Sequence, residues 1–132
     1  MAGEQGVDFS GYERIKATRR GRVLTLSLSN PGKLNAVDAA MHRELSRVFL
    51  DAADDPASDI VVDLTGEGAS FSAGGDLNWM KQGFESGTKG PDAAEAKRIV
   101  FSLLDLEKPI VAKVAGPAIG LGATLALFCD VI

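Results

Sequence analysis

Two glycine-rich turns constrain the fold of this 132-residue chain more than any other feature. The first is Ser72-Ala73-Gly74-Gly75-Asp76, and the second is Gly120-Leu121-Gly122. Each follows a short apolar segment typical of a buried strand, at 60–64 and at 110–115, and each precedes a predicted helix. A turn of this kind directs unpaired backbone N–H groups outward at the positive end of a helix dipole. Such groups suit a phosphate or a developing oxyanion, and glycine lets a ligand come close to the main chain.

The remaining pattern alternates strands with helices, which predicts an α/β fold. Two strands of a hairpin are expected at 14–19 and 22–28, and in the second of them Leu24, Leu26 and Leu28 share one face. Asp38 is expected to cap a helix that runs to about residue 53. That helix carries an apolar stripe at helical spacing, formed by Met41, Leu45, Val48, Phe49 and Ala52.

Shorter helical pieces are expected beyond the first turn. A helical segment begins at 77–80, a loop is predicted for 81–91, and a helix starts at Asp92. The buried side of that helix is predicted to consist of Ile99, Val100, Leu103 and Leu104. A last helix is expected at 123–128. Residues 1–11 are interpreted as a tail and residues 12–132 as one domain.

Composition excludes several classes of function. The net charge is −4, whereas non-specific nucleic-acid binding depends on an excess of Lys and Arg. With one cysteine and one histidine, no disulfide framework and no Cys/His metal site is expected. The first residues lack the pattern of a secretory signal, and the longest uncharged stretch, 114–129, is shorter than the ~18 residues of a membrane span. A cytoplasmic protein that contacts neither nucleic acid nor membrane is therefore predicted.

The two turns and their flanking residues resemble the crotonase superfamily, also called the enoyl-CoA hydratase/isomerase family. The resemblance runs from about residue 12 to 132 and is carried by the blocks 30–37, 70–77, 108–122 and 129–130, in that order. It implies a crotonase-like spiral of strand-strand-helix turns that binds acyl-CoA thioesters. The chain is expected to represent the N-terminal part of that fold and to end before the C-terminal half. A full-length member of the family is expected to form a homotrimer or a dimer of trimers.

The resemblance also implies the site residues. The backbone N–H groups of Gly75 and Leu121 are expected to hold the thioester carbonyl oxygen of an enolate-like intermediate. Two segments are expected to contact the CoA thioester, through Lys33, Leu34, Ala36, Ala73, Gly75, Asp76, Leu77 and Asn78. Asp76 is interpreted as a helix cap rather than a catalyst. Coenzyme A enters as part of the substrate, so no separate cofactor and no metal is expected.

One position departs from the family pattern. Hydratases of this family use two glutamates, and the first falls three positions after the second oxyanion donor, where this chain has Thr124. A threonine hydroxyl is not a general base near neutral pH unless another group activates it. The second glutamate would lie beyond Ile132. Glu67, Glu85 and Asp92 are the candidate carboxylates in this chain, and each is interpreted as a solvated surface residue.

Three functions are compatible with these patterns. The first is an acyl-CoA-processing enzyme of the enoyl-CoA hydratase/isomerase type, which could also isomerise, decarboxylate, dehalogenate or hydrolyse its thioester. The second, favoured by Thr124, is a non-catalytic CoA-thioester binding protein. The third is a nucleotide-binding domain, although Leu125 fills the third glycine position of a dinucleotide loop. His42, the only histidine, is interpreted as a partly exposed side chain without a catalytic role.

Overall fold

A mixed β-sheet lies at the centre of the fold in the computed structural model, which describes residues 5–87 and 92–132. Its strands in these ranges are β1 (Ile15–Arg20), β2 (Val23–Leu28), β3 (Val61–Gly66) and β4 (Ile110–Lys113), and they lie in sequence order across the sheet. β1 and β2 form an antiparallel hairpin, whereas β2 with β3 and β3 with β4 are parallel. Parallel neighbours require crossovers, and helices lie in the connections between these strands.

The helices match the predicted order. They are α1 (Ala39–Asp54), α2 (Leu77–Glu85), α3 (Ala93–Leu104) and α4 (Leu121–Leu127). Asp38 caps α1, and its side chain accepts a hydrogen bond from the Met41 N–H at 2.9 Å. The predicted stripe of α1 is fully buried, as are Leu24, Leu26 and Leu28 on one face of β2. The core therefore lies between that face of the sheet and α1, with α3 packed against α1.

The predicted loop at 81–91 is wrong for its first residues, because α2 continues to Glu85. Asp76 caps the start of this helix, the Ser86 N–H bonds to the carbonyl of Gln82 at its end, and Lys81 lies 3.8 Å from Glu85 one turn later. These local contacts outweigh the helix-breaking tendency of Gly83. Residues 88–91 of the predicted loop lie outside the described residues.

The predicted exposure of two side chains is also wrong. His42 is only 3% exposed, because α3 and α2 both pack against its flank of α1. Its Nδ1 lies 2.5 Å from Glu95 Oε1, and its ring centroid lies 5.1 Å from that of Trp79. Leu104, in contrast, is 52% exposed, because its neighbour Leu103 occupies the buried side of α3. No helix in the described ranges is long and apolar enough to cross a membrane.

Asp55 fixes the segment before β1 to the end of α1. Its side chain is fully buried and accepts hydrogen bonds from the Val7 N–H at 2.9 Å and from Arg19 Nε at 2.9 Å, and a further one from the Ser58 hydroxyl. Burial alone would raise the pKa of Asp55, but the hydrogen bonds from Arg19 and Ser58 lower it to about 2. The carboxylate is therefore more stable as an anion in the folded chain than in the unfolded one.

We expect the substitution Asp55→Asn to lower the free energy of unfolding by about 2 kcal/mol at neutral pH, the equivalent of a pKa lowered from 3.8 to about 2. Because the folded pKa is the lower one, this stabilisation is fully present above 3.8 and is lost as the pH falls through about 2. Urea unfolding at several pH values should show the two chains converging on acidification.

Asp59→Asn is the matched control, since Asp59 also pairs with an arginine, Arg22, but on the surface. This control should change the free energy of unfolding much less. A difference between wild type and Asp55→Asn that persists unchanged in acid would contradict the assignment.

Candidate functional site

The first glycine-rich turn leads from β3 into α2 and pairs with the segment before α1. The Val37 N–H donates to the Gly74 carbonyl at 2.7 Å, and the Asp76 N–H donates to the Val37 carbonyl at 2.8 Å. A trans peptide group is planar, so its N–H points opposite to its C=O. With the Gly74 carbonyl held by Val37, the N–H of Gly75 points away from Val37. It donates to no residue in the described ranges.

The second turn has the same construction at the start of α4. Gly120 is the N-cap, with φ 56° and ψ −122°, a conformation that favours glycine. Its carbonyl accepts from the Thr124 N–H at 3.0 Å and from Thr124 Oγ1 at 3.2 Å. The N–H of Leu121 belongs to the same peptide group and points away from that carbonyl. Within residues 5–87 and 92–132 it also has no acceptor.

The two turns contact each other through their main chains. The Ser72 N–H donates to the Pro117 carbonyl at 3.1 Å, and the Ile119 N–H donates to the Ser72 carbonyl at 3.0 Å. Gly74 has φ 82°, and a Cβ atom there would overlap the carbonyl oxygen of Ile119. A Cβ atom at Gly122 would lie 2.5 Å from the Ser72 carbonyl oxygen. Because both positions are glycine, the two turns can lie in direct contact. The N–H groups of Gly75 and Leu121, which have no acceptor in the described ranges, therefore belong to adjoining turns.

A cleft of about 320 Å³ opens beside the first turn. Its lining consists of Lys33, Ala36, Ala73, Gly75, Asp76, Leu77 and Asn78. The structure thus brings together every predicted CoA contact except Leu34. Leu34 instead lines a neighbouring cleft of about 420 Å³, next to Asn35 and Glu67. Both segments expected to hold the thioester therefore line one cleft.

Asp76 and Lys33 supply the charges of this cleft. Asp76 Oδ1 accepts from the Trp79 N–H at 2.9 Å, so Asp76 caps α2 as predicted. Its other oxygen lies 3.4 Å from Lys33 Nζ. The hydrogen bond from Trp79 is the main reason that the pKa of Asp76 lies below its usual range, and Lys33 lowers it further. Asp76 is therefore an anion at neutral pH, while the Lys33 side chain is 52% exposed and can reach a ligand.

Met80, which the sequence indicates as a packing residue or as part of an acyl pocket, packs on the first turn. A Cβ atom at Gly75 would lie 2.7 Å from Met80 Sδ, so the thioether packs directly on the Gly75 backbone. Trp79, which precedes Met80 in α2, packs on His42. No sequence spacing could have identified Met80, because its contact depends on how α2 folds back from the Asp76 cap.

The candidate carboxylates lie outside the cleft. Glu67 and Glu85 are exposed, and Asp92 is an exposed N-cap of α3, which confirms their interpretation as surface residues. Thr124 is half-buried beside the second turn, where its hydroxyl is used by the Gly120 carbonyl. Among the described residues, no group of three or more His, Cys, Asp or Glu side chains could hold a metal ion.

We expect Gly74→Ala to destabilise the chain more than Gly68→Ala does. Both glycines have a positive φ, 82° and 75°, but a Cβ atom at Gly68 has no neighbour within 4 Å. Gly68→Ala should therefore cost only the left-handed backbone conformation, about 1–2 kcal/mol. Gly74→Ala should cost about 1–3 kcal/mol more, because the turns must separate. Equal free energies of unfolding for both variants in urea would show that the turns do not touch as described.

Comparison with known proteins identifies the family of the chain. A family model described as enoyl-CoA hydratase/isomerase matches residues 18–132. Carnitinyl-CoA dehydratase from Citrobacter koseri is 38% identical over 122 residues, which cover 91% of this chain and 45% of that protein. The chain thus spans about half the length of the curated relatives it matches.

Solved structures show the same likeness. An enoyl-CoA hydratase/isomerase from Mycobacterium paratuberculosis has a TM-score of 0.79 at 31% identity, covering 89% of this chain and 48% of that one. An enoyl-CoA hydratase from Polaromonas sp. JS666 has a TM-score of 0.76 at 34% identity, covering 89% and 46%. These neighbours confirm the predicted crotonase-like α/β fold. The chain belongs to the enoyl-CoA hydratase/isomerase family.

Proposed function

We propose that this chain processes acyl-CoA thioesters and that the N–H groups of Gly75 and Leu121 stabilise the oxyanion formed on the thioester carbonyl. The observation that supports this most is the contact between the two turns, each of which presents a backbone N–H without an acceptor in the described ranges. Neither donor depends on a side chain, so a leucine at position 121 is compatible with the role. Main-chain donors fixed in advance favour the charged state over the neutral ester, because they need no reorganisation when charge develops.

The cleft beside Gly75 is the proposed position of the thioester arm of CoA. Its lining includes Lys33 and Ala36 from the segment before α1, and Ala73 and Asp76 from the first turn. Lys33 is paired with Asp76 but half exposed, so it can also meet a phosphate or carbonyl oxygen of CoA. Asn78 adds an amide rather than a second charge. We therefore propose that CoA is held by one cation and by main-chain contacts.

Residue 124 bears on the reaction itself. The Thr124 hydroxyl donates to the Gly120 carbonyl, and among the described residues no base is hydrogen-bonded to it to take up its proton. We propose that the proton-transfer step uses a group other than Thr124, within the enoyl-CoA hydratase/isomerase type of chemistry. The Citrobacter koseri relative is a carnitinyl-CoA dehydratase, so carnitinyl-CoA and 2-enoyl-CoA thioesters are the first substrates to test. The homotrimeric assembly and the cytoplasmic location stay predictions.

The alternative is a CoA-thioester binding protein without catalysis, which the threonine at position 124 favours. Calorimetric binding of butyryl-CoA, together with turnover of a panel of enoyl-, β-oxoacyl- and acyl-CoA thioesters, separates the two. Binding with turnover supports the enzyme, and binding without turnover supports the alternative. A full chain that binds no acyl-CoA would contradict both.

We expect Leu121→Pro to abolish one oxyanion donor while leaving the fold intact. Residue 121 is the first of α4, a position where proline is well tolerated, and Gly120 has a ψ of −122°, outside the helical region that a following proline disfavours. Turnover should fall about 10²–10³-fold. The infrared band of the ¹³C-labelled thioester carbonyl of bound butyryl-CoA should move back towards its frequency in water, because one hydrogen bond to that oxygen is lost.

Leu121→Ala is the matched control, since it removes the same side chain but keeps the N–H. It should retain the wild-type carbonyl band and most of the turnover. If Leu121→Pro and Leu121→Ala behave alike in both measurements, the Leu121 N–H is not an oxyanion donor. Gly75→Pro, compared with Gly75→Ala, tests the other donor: both variants place a Cβ 2.7 Å from Met80 Sδ, so the thioether must shift in both, and they differ in the N–H.

A further inference from the structure

Ser72 is a fully buried residue that does not itself line the cleft but joins the segments that form it. Its hydroxyl donates to the Asn35 carbonyl at 2.7 Å. The same oxygen accepts from the Gly74 N–H at 3.1 Å. A serine hydroxyl has one proton to donate and two lone pairs that can accept, so these two bonds use its proton and one of its lone pairs. The hydroxyl thereby connects the loop before α1 to the first turn.

The backbone of the same residue holds the second turn. Ser72 pairs with Ala118 through the bonds to Pro117 and Ile119 described above. Its Cβ atom also lies 3.0 Å from the position that a Cβ at Gly122 would take, so Ser72 abuts the start of α4. One residue therefore touches the loop that carries Lys33 and Ala36, the turn that carries Gly75 and the turn that carries Leu121.

We propose that Ser72 is a positioning residue for the oxyanion site, acting through the Gly74 N–H and the Asn35 carbonyl. This inference rests on the proposed function of Gly75 and Leu121. The Gly74–Gly75 peptide group has its carbonyl held by Val37, and the preceding N–H is held by the Ser72 hydroxyl. These two bonds restrain the backbone on both sides of the Gly74 Cα. They fix the direction in which the Gly75 N–H points.

Loss of the hydroxyl has a definite consequence. In Ser72→Ala the buried Gly74 N–H and the buried Asn35 carbonyl both lose a partner. An unpaired buried polar group drives local rearrangement towards water or another partner, and Gly74 is free to rotate because it lacks a side chain. The Gly75 N–H would then leave the direction required by the oxyanion. A misplacement of about 1 Å in such a site can cost ~10²-fold in rate.

The experiment compares Ser72→Ala with Ser102→Ala in the full chain. Ser102 is also a buried serine, but its hydroxyl bonds only within α3, to the Ile99 carbonyl at 3.2 Å. The probe is butyryl-CoA labelled with ¹³C at the thioester carbonyl, with kcat and KM measured on the best substrate of the panel. We expect Ser72→Ala to lower kcat about tenfold or more, to change KM less than about threefold, and to reverse most of the carbonyl band shift. Ser102→Ala should leave the band and kcat at their wild-type values.

A residue needed only for stability would give a different result. Both serine variants could then melt earlier, but the folded fraction would bind the probe with the wild-type carbonyl band. A folded Ser72→Ala protein with a wild-type band and a wild-type kcat would overturn the inference. If Ser72→Ala does not fold, Ser72→Cys replaces it, because a thiol of similar size is only a weak donor and acceptor. A reduced band shift in Ser72→Cys supports the inference, and a wild-type shift overturns it.

The oxyanion role of the Gly75 N–H and the positioning role of Ser72 can be tested separately. If Gly75→Pro leaves the carbonyl band of bound butyryl-CoA unchanged, the oxyanion role of the Gly75 N–H fails and the role of Ser72 fails with it. If Gly75→Pro removes the shift while Ser72→Ala or Ser72→Cys preserves it, only the positioning role of Ser72 is overturned.

Discussion

The direct contact between two main-chain turns is the constraint on which the rest of the site depends. Gly74 and Gly122 meet the other turn so closely that neither could carry a side chain without displacement. That contact places the residues after Gly74 and after Gly120 on adjoining surfaces, although more than forty positions separate them in the sequence. The parallel strands β3 and β4 make this possible, because the segments that follow neighbouring parallel strands leave the same edge of the sheet.

Features that depend on local pattern could be predicted from the sequence. The alternation in β2, the stripe of α1 and the caps Asp38 and Asp76 all follow from periodicity and capping chemistry within a few residues. The resemblance added the residues of the cleft, and all but Leu34 line it together. Those are contacts between distant segments, and composition or spacing alone could not have shown them.

Features that depend on tertiary contact could not be predicted. His42 was interpreted as partly exposed because it flanks the stripe of α1, but Glu95 on α3 and Trp79 on α2 enclose it. The sequence predicts a helical segment only at 77–80 and a loop at 81–91, yet its caps and an ion pair extend α2 to Glu85. Ser72 gave no signal at all, since a small polar residue in a glycine-rich turn is common. Its role depends on the position of Asn35, far away in the sequence.

The two proposed donors share a further physical property. In each case the carbonyl of the donor peptide group accepts a hydrogen bond of its own, from Val37 at the first turn and from Thr124 at the second. A hydrogen bond to the C=O polarises the whole peptide group, which makes its N–H a stronger donor as well as fixing its direction. This gives Thr124 a part in the site that does not require it to transfer a proton. The departure of position 124 from the hydratase pattern is therefore compatible with an intact oxyanion site. That departure concerns the identity of the proton-transfer group. It does not concern the hydrogen bonds from the main chain to the thioester carbonyl.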